Sequence, residues 1–357
     1  MGLCFTALLL GLLLLLSSFP TQSTAQPFQC STLNSTCRSL VDYASPNSTT
    51  LSSIKTLFNV KNLRTILGAN SLPLSTPQNT TVTAHQTIKI PFQCACLGNR
   101  TGASNRRPIY TVQSGDTLYH IAAEIFSSLV TYEQIAAFNN VPDVNLIEVG
   151  QKLWVPLPCG CDDVDGEKVV HYGHVVEAGS TLELIAEEYG TSSETLLRLN
   201  GLANASSLLA GQVLDVPLKA CNSSIRTDSL DYPLLVSNGT YVHTANNCIM
   251  CKCDAANNWT LQCEPSQVRP SNWDSCPTMQ CEGNLYIGNT TSNGCSRSSC
   301  AYAGYSTANQ TIFTTLLTES TCASPPAPGN YASKMQLSWN LIFIPFHLIM
   351  LFQYLSL

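Results

Sequence analysis

The sequence predicts an α+β protein: three tandem strand–helix–helix–strand (βααβ) modules tied by disulfides, followed by a small Cys-rich, mainly β domain. Three observations carry that expectation. The stretch "GQKLWVPL", Gly150 to Leu157, returns as "GQVLDVPL" at Gly211 to Leu218. Upstream of each copy, "YTVQSGDTLYHIAAEIF" from Tyr110 matches "GHVVEAGSTLELIAEEY" from Gly173. Cysteines bracket the repeats, in "CAC" from Cys94 and "CGC" from Cys159, and then crowd the region beyond Cys221. Self-similarity of this kind marks stacked structural units.

Ahead of the modules, the apolar run Ala7 to Leu16 is too short to span a bilayer and leads to Ser23-Thr24-Ala25. It predicts a secretory signal over residues 1–25, cleaved before Gln26, although the charged n-region is missing. The first module, residues 26–96, is a degenerate copy: "TLSSI" from Thr50 matches "TLYHI" from Thr117 and "TLELI" from Thr181, followed by Asn70 and "HQTIKIPF" from His85.

The middle module, residues 110–157, is the clearest. Tyr110 to Gln113 reads as a short strand, and Leu118, Ile121, Ala122 and Ile125 then fall at helical spacing. Thr131 with Gln134 reads as a capping box opening a second helix, with Ile135 and Phe138 facing inward and Asn139 closing it. Leu153 and Val155 alternate in a second short strand that Pro156 ends. The third module, residues 173–218, repeats the order and closes its second helix at Asn200.

From Cys221 to Cys322 the texture changes to Ser, Asn and Thr with ten cysteines and little helical periodicity, which predicts a disulfide-stapled β-like domain. Its Trp259, Trp273 and the tyrosines of "CAYAGY" read as packing residues rather than as sugar-stacking ones. A Pro-rich stalk, residues 323–330, follows. The apolar stretch Leu337 to Leu357 reads either as a transmembrane helix or as the discarded end of a lipid-anchor signal. Small residues, a polar spacer and a hydrophobic end, interrupted by Pro345, favour a GPI anchor on Asn330, with Gly329 and Ser324 as alternatives and residues 331–357 removed.

Composition agrees with export. Loss of Cys4 with the signal leaves an even number of the 17 cysteines, as expected in an oxidising compartment. Ten Asn-x-Ser/Thr sequons stand at Asn34, Asn47, Asn79, Asn99, Asn204, Asn222, Asn238, Asn258, Asn289 and Asn309. Only 11% of residues are charged, the net charge is −6, and no Lys/Arg run is present, so nucleic acid is not an expected partner. "CIMCKC" from Cys248 has metal-like spacing, but in a secreted chain disulfides are favoured over zinc and no cofactor is expected.

The "SGDTL" and "GQ-L-VP" motifs, the closing Asn and the Cys-x-Cys spacers resemble the LysM module as it occurs in plant LysM domain-containing GPI-anchored proteins of the chitin-elicitor-binding type. The resemblance covers nearly the whole mature chain. Six cysteines allow 15 pairings by spacing alone. The resemblance implies Cys30–Cys96, Cys37–Cys161 and Cys94–Cys159. It also implies a pattern-recognition receptor of plant innate immunity, on the outer face of the plasma membrane, that binds β-1,4-linked N-acetylglucosamine. Peptidoglycan is the alternative ligand, and a non-signalling structural wall protein the alternative role. A LysM receptor kinase is the expected signalling partner, with homodimers forming on long chitin.

In the middle module the ligand would lie between two loops: Gln113, Ser114, Gly115, Asp116 and Thr117, and then Asn140, Val141, Pro142, Asp143, Val144, Asn145, Leu146 and Ile147. Backbone amides and small apolar side chains suit a neutral, acetamide-bearing glycan. Each of these residues also has a plain structural role open to it. Gly115 can serve a turn, Asp116 or Thr117 can cap a helix, and Pro142 can end one. The apolar residues of "NNVPDVNLIE" call for either core contacts or a ligand. Sequons fall in the loops of the outer modules, at Asn47, Asn79 and Asn204, whereas the middle module has none. Catalysis is not expected. Glycoside hydrolysis needs two carboxylates in a sizeable domain, whereas Glu124, Glu133, Glu187 and Glu188 lie on solvated helix faces and the six histidines are scattered, with His171 and His174 in a linker.

Overall fold

The computed structural model describes residues 28–98 and 100–322. The signal over residues 1–25, the sequon at Asn99, the stalk, the anchor residue Asn330 and residues 331–357 lie outside them.

Three segments each run strand, helix, helix, strand. The first has β1 (Thr36–Ala44), α1 (Leu51–Leu57), α2 (Leu63–Ala69) and β2 (Thr87–Cys96). After a short β3 (Gly102–Ser104), the second has β4 (Ile109–Thr111), α3 (Leu118–His120), α4 (Tyr132–Phe138) and β5 (Lys152–Trp154). The third has β6 (Val169–Val175), α5 (Leu182–Tyr189), α6 (Ser193–Leu199) and β7 (Val213–Lys219).

The repeated residues have local causes. The Thr of each "TL" pair is a helix N-cap: Thr50, Thr117 and Thr181 accept from the amides of Ser53, His120 and Leu184 at 3.2, 3.0 and 3.3 Å. Thr131 and Gln134 form the reciprocal capping box that opens α4. The recurring Asn clamps the end of the second helix to the closing strand. Asn139 Nδ2 donates to the carbonyls of Ile135 and Trp154, and Asn139 Oδ1 accepts from the Trp154 amide. Asn70 does the same with Ile66 and Lys89, and Asn200 with Leu196 and Asp215.

The segments are not beads on a string. A five-stranded sheet runs in the order β3-β2-β1-β6-β7, so the first and third segments share it through a parallel pairing of β1 with β6, Leu40 opposite Tyr172. The second segment keeps its own two-stranded ladder and joins the first through a common core. There Tyr43, Phe58, Phe126 and Tyr110 meet edge to face, with centroids 4.9, 5.5 and 6.0 Å apart in turn.

Two expectations are corrected. The helix expected to run through Ile125 is α-helical only to His120. A π-turn over Ile121–Ile125 follows, closed by the Phe126 amide on the Ile121 carbonyl at 3.0 Å. It precedes the fully buried Phe126 of the shared core. His171 and His174 stand not in a linker but in β6, both buried beside carboxylates.

Three disulfides join the first segment to the flanking spacers: Cys30–Cys96, Cys37–Cys161 and Cys94–Cys159. Between the last two, Gly160 is required by space, since a Cβ there would stand 2.8 Å from Nδ1 of the His171 ring. The remaining region has one three-stranded sheet, β8 (Tyr241–Thr244), β9 (Ile249–Lys252) and β10 (Gln262–Pro265). A second is formed by β11 (Thr290–Asn293), β12 (Ser296–Ser306) and β13 (Thr311–Ser320). Cys221–Cys253, Cys248–Cys276, Cys251–Cys263 and Cys281–Cys300 staple its core, where Trp273 and Tyr302 are buried. The Tyr241 hydroxyl docks this region on the first segment through the Leu72 carbonyl at 2.6 Å. A small second unit, of which Ser292–Arg297 and residues 319–322 are described, is closed by Cys295–Cys322.

Candidate functional site

In the middle segment β4 and β5 pair with Tyr110 opposite Leu153. The ladder is prolonged by the Val112 amide on the Gln151 carbonyl at 2.9 Å and by the Gly150 amide on the Val112 carbonyl at 2.8 Å. One loop begins at Gln113 and the other ends at Gly150, so both leave the same end of one ladder. The topology thereby brings the two candidate loops together.

The first loop is held by its own residues. Gly115 has φ +90°, which only glycine adopts without strain. The Asp116 carboxylate accepts from the Tyr110 hydroxyl at 2.8 Å and from the Gln113 amide at 2.7 Å. Burial, together with Asp116, holds the Tyr110 hydroxyl well above its ordinary pKa, so it remains a donor. Gln113 Nε2 donates to the Thr111 carbonyl at 2.7 Å. Asp116 therefore shapes the loop and Thr117 caps α3, while Gln113, Ser114, Gly115 and Thr117 face solvent.

In the second loop Asn140 takes a left-handed conformation, φ +53°. The Asp143 carboxylate accepts from the Asn145 amide at 2.9 Å and from Asn145 Nδ2 at 3.1 Å. Val141, Val144 and Ile147 are half-buried against the shared core. Core contact thus accounts for the apolar residues that the sequence left open, with one exception: Leu146 is 72% exposed. Pro142 lies beyond the helix end, which Asn139 makes. Two exposed apolar residues beside the loops escaped the sequence reading, Tyr119 at 65% and Val149 at 70%. The signal for Tyr119 was present in "TLYHI", where it follows the inward Leu118 and so points outward.

The surface presented is backbone, amide side chains and a few apolar groups. Of the carboxylates on this surface, Asp116 and Asp143 are engaged in loop hydrogen bonds, and Glu148 is exposed. The nine described sequon asparagines are all exposed, Asn47, Asn79 and Asn204 among them in the loops of the outer segments. No metal is implied by the cysteines. The sulfurs of Cys37, Cys94 and Cys161 lie within 4.8 Å of one another, and those of "CIMCKC" have metal-like spacing, but each is consumed in a disulfide.

The LysM domain family matches residues 110–156 and 174–217. The chain is 52% identical to LysM domain-containing GPI-anchored protein 2 of Arabidopsis thaliana over 96% of its own length and 95% of the relative's. It is 40% identical to the chitin elicitor-binding protein of Oryza sativa subsp. japonica, over 92% of each chain. Among solved structures, the ectodomain of a receptor like kinase is similar at TM-score 0.44 and 24% identity, covering 55% of this chain and 93% of that one.

Proposed function

The chain belongs to the plant LysM domain-containing GPI-anchored proteins, and on that premise we propose that it is a chitin-binding pattern-recognition receptor whose principal site is the middle module. It acts at the extracellular face of the plasma membrane, where the names of its relatives place a GPI-anchored protein. The first segment is a third, degenerate LysM copy. What supports this is Asn70, which repeats the clamp of Asn139 and Asn200 bond for bond.

One observation carries the choice of site. The middle module alone pairs two exposed loops with a complete lack of sequons, while glycans on Asn47, Asn79 and Asn204 would stand over the loops of its neighbours. The acetamides of a neutral glycan would meet loop backbone, and their methyl groups Leu146 and the apolar loop residues. Catalysis is no part of this reading, in which Asp116 and Asp143 serve to hold the loops through their hydrogen bonds.

A protein held by lipid on the outer leaflet reaches the cytosol only through a partner, and a LysM receptor kinase suits that role. Long chitin bridging two ectodomains would raise apparent affinity through effective concentration. The test is calorimetry of the purified protein with chitin oligomers and with soluble peptidoglycan fragments. Chitin alone should give saturable heat. Heat from peptidoglycan alone would move the assignment to that ligand, and heat from neither would leave a structural wall protein. Light scattering with octameric chitin should show dimer that tetrameric chitin does not produce.

A further inference from the structure

A cavity of about 600 Å³, none of whose lining residues belongs to the two candidate loops, is walled by the first segment, the stretch before β4 and the Cys-rich region. Its volume falls within the range of about 300–1,000 Å³ that is usual for ligand clefts. Arg38, Lys61, Arg64 and Arg107 all line it. In a chain with a net charge of −6, that is a local inversion of sign. Among the described residues none of these four cations forms an ion pair. Arg38 stands on β1, where burial lowers its guanidinium pKa to about 10, so it is still charged at neutral pH.

One carboxylate, Asp231, is on the wall against the four cations, and its own side-chain partners are neutral hydroxyls. It accepts from Thr244 Oγ1 at 2.6 Å and the Tyr302 hydroxyl at 2.7 Å, and also from Ser229 Oγ. His243, on the same wall, is held below its ordinary pKa by burial and by the charge of Arg64. Gathering four cations around a single carboxylate is unfavourable, and a fold that retains such an arrangement normally does so at a functional site.

We propose that this cavity binds a carboxylated oligosaccharide, a short run of uronic-acid residues, at a site separate from the chitin loops. The arginine forks match carboxylate geometry. The rest of the lining suits sugar hydroxyls rather than a peptide. Asn62, Asn105 and Asn247 offer amides, Thr65 a hydroxyl, and the 46% exposed Tyr232 a ring face. None of these three asparagines heads a glycosylation sequon. A neutral chitin chain has no use for four cations.

The test is titration of the full glycosylated protein with trigalacturonate by calorimetry, at low and at high salt. Saturable binding that weakens as salt rises is expected. Affinity should fall at least tenfold in Arg64→Glu and in the exposed pair Lys61→Glu/Arg107→Glu, which is chosen because neither side chain is in the core. Binding of chitin oligomers should be unchanged in the same variants, which separates this site from the middle module whatever ligand that module takes. Absence of heat with trigalacturonate, or equal affinity in the Lys61/Arg107 double variant, would overturn the proposal. Hexaglutamate binding as tightly as trigalacturonate would overturn it too, in favour of an acidic peptide.

Discussion

His171 Nδ1 lies 2.9 Å from each carboxylate oxygen of Asp215, and Nε2 of the same ring lies 2.8 Å from the Asp162 carbonyl. With an acceptor at each nitrogen the ring is an imidazolium, and it ties β6 to β7 and to the "CGC" spacer whose Gly160 packs on its face. Burial by itself would lower its pKa. The Asp215 carboxylate outweighs burial, with help from Asp162, and holds the pKa at about 9. Because the folded value is raised above the ordinary value of about 6.5, this pair stabilises fully below that pH and its contribution is lost as pH rises through about 9. Thermal melting should therefore decline from neutral pH towards pH 9, and Asp215→Asn should flatten that decline. Leaving the buried charge unpaired should cost on the order of 3–5 kcal/mol at neutral pH. A pH profile of Asp215→Asn parallel to that of the parent would contradict this assignment.

Leu146 is the test of the chitin loops. Leu146→Asp, at a position 72% exposed, should fold normally and lower chitin affinity at least tenfold, because a charge facing an acetyl methyl is desolvated without a partner. The control is Leu209→Asp in the closing loop of the third segment, an apolar position 46% exposed that corresponds to Glu148 by its amide hydrogen bond to the following Gln, and it should change affinity less than twofold. Val141 and Ile147 serve less well, since both pack on the core and a charge there would test folding. Equal losses in the two calorimetric titrations would remove the middle module from its special place.

Glycan exclusion has its own test. Pro142→Ser turns Asn140-Val141-Pro142 into a sequon on an exposed loop residue. The added glycan should abolish chitin binding, and enzymatic deglycosylation of the native protein should restore it. Binding that survives full occupancy of Asn140, seen by mass spectrometry, would place the ligand elsewhere.

The Asn clamp should be a stability device alone. Asn139→Ala removes three hydrogen bonds and strands the Trp154 amide and carbonyl, at a cost of roughly 2–4 kcal/mol. Denaturant melts should show that loss, while chitin affinity per folded molecule stays unchanged. Asn70→Ala should cost a similar amount if the first segment is a true copy, since its three bonds are the same.

What the sequence by itself determined is the local grammar. The capping Thr of each "TL", the Thr131–Gln134 box and the closing Asn were legible because each acts within a few residues of itself, where spacing in the chain equals spacing in space. The LysM wording of the middle and third segments belongs to that grammar, and so does the position of the two loops at the mouth of one ladder. Only the tertiary structure decided what joins distant parts. The parallel pairing of β1 with β6, the burial of His171 and His174 in a strand, the packing that claims Val141, Val144 and Ile147 while leaving Leu146 outside, and the gathering of Arg38, Lys61, Arg64 and Arg107 around one cavity all depend on residues tens to hundreds of positions apart. Periodicity carries no information about such contacts. They are selected when the sheet closes, by which edge is left unpaired and which charge finds its counter-charge as water is removed.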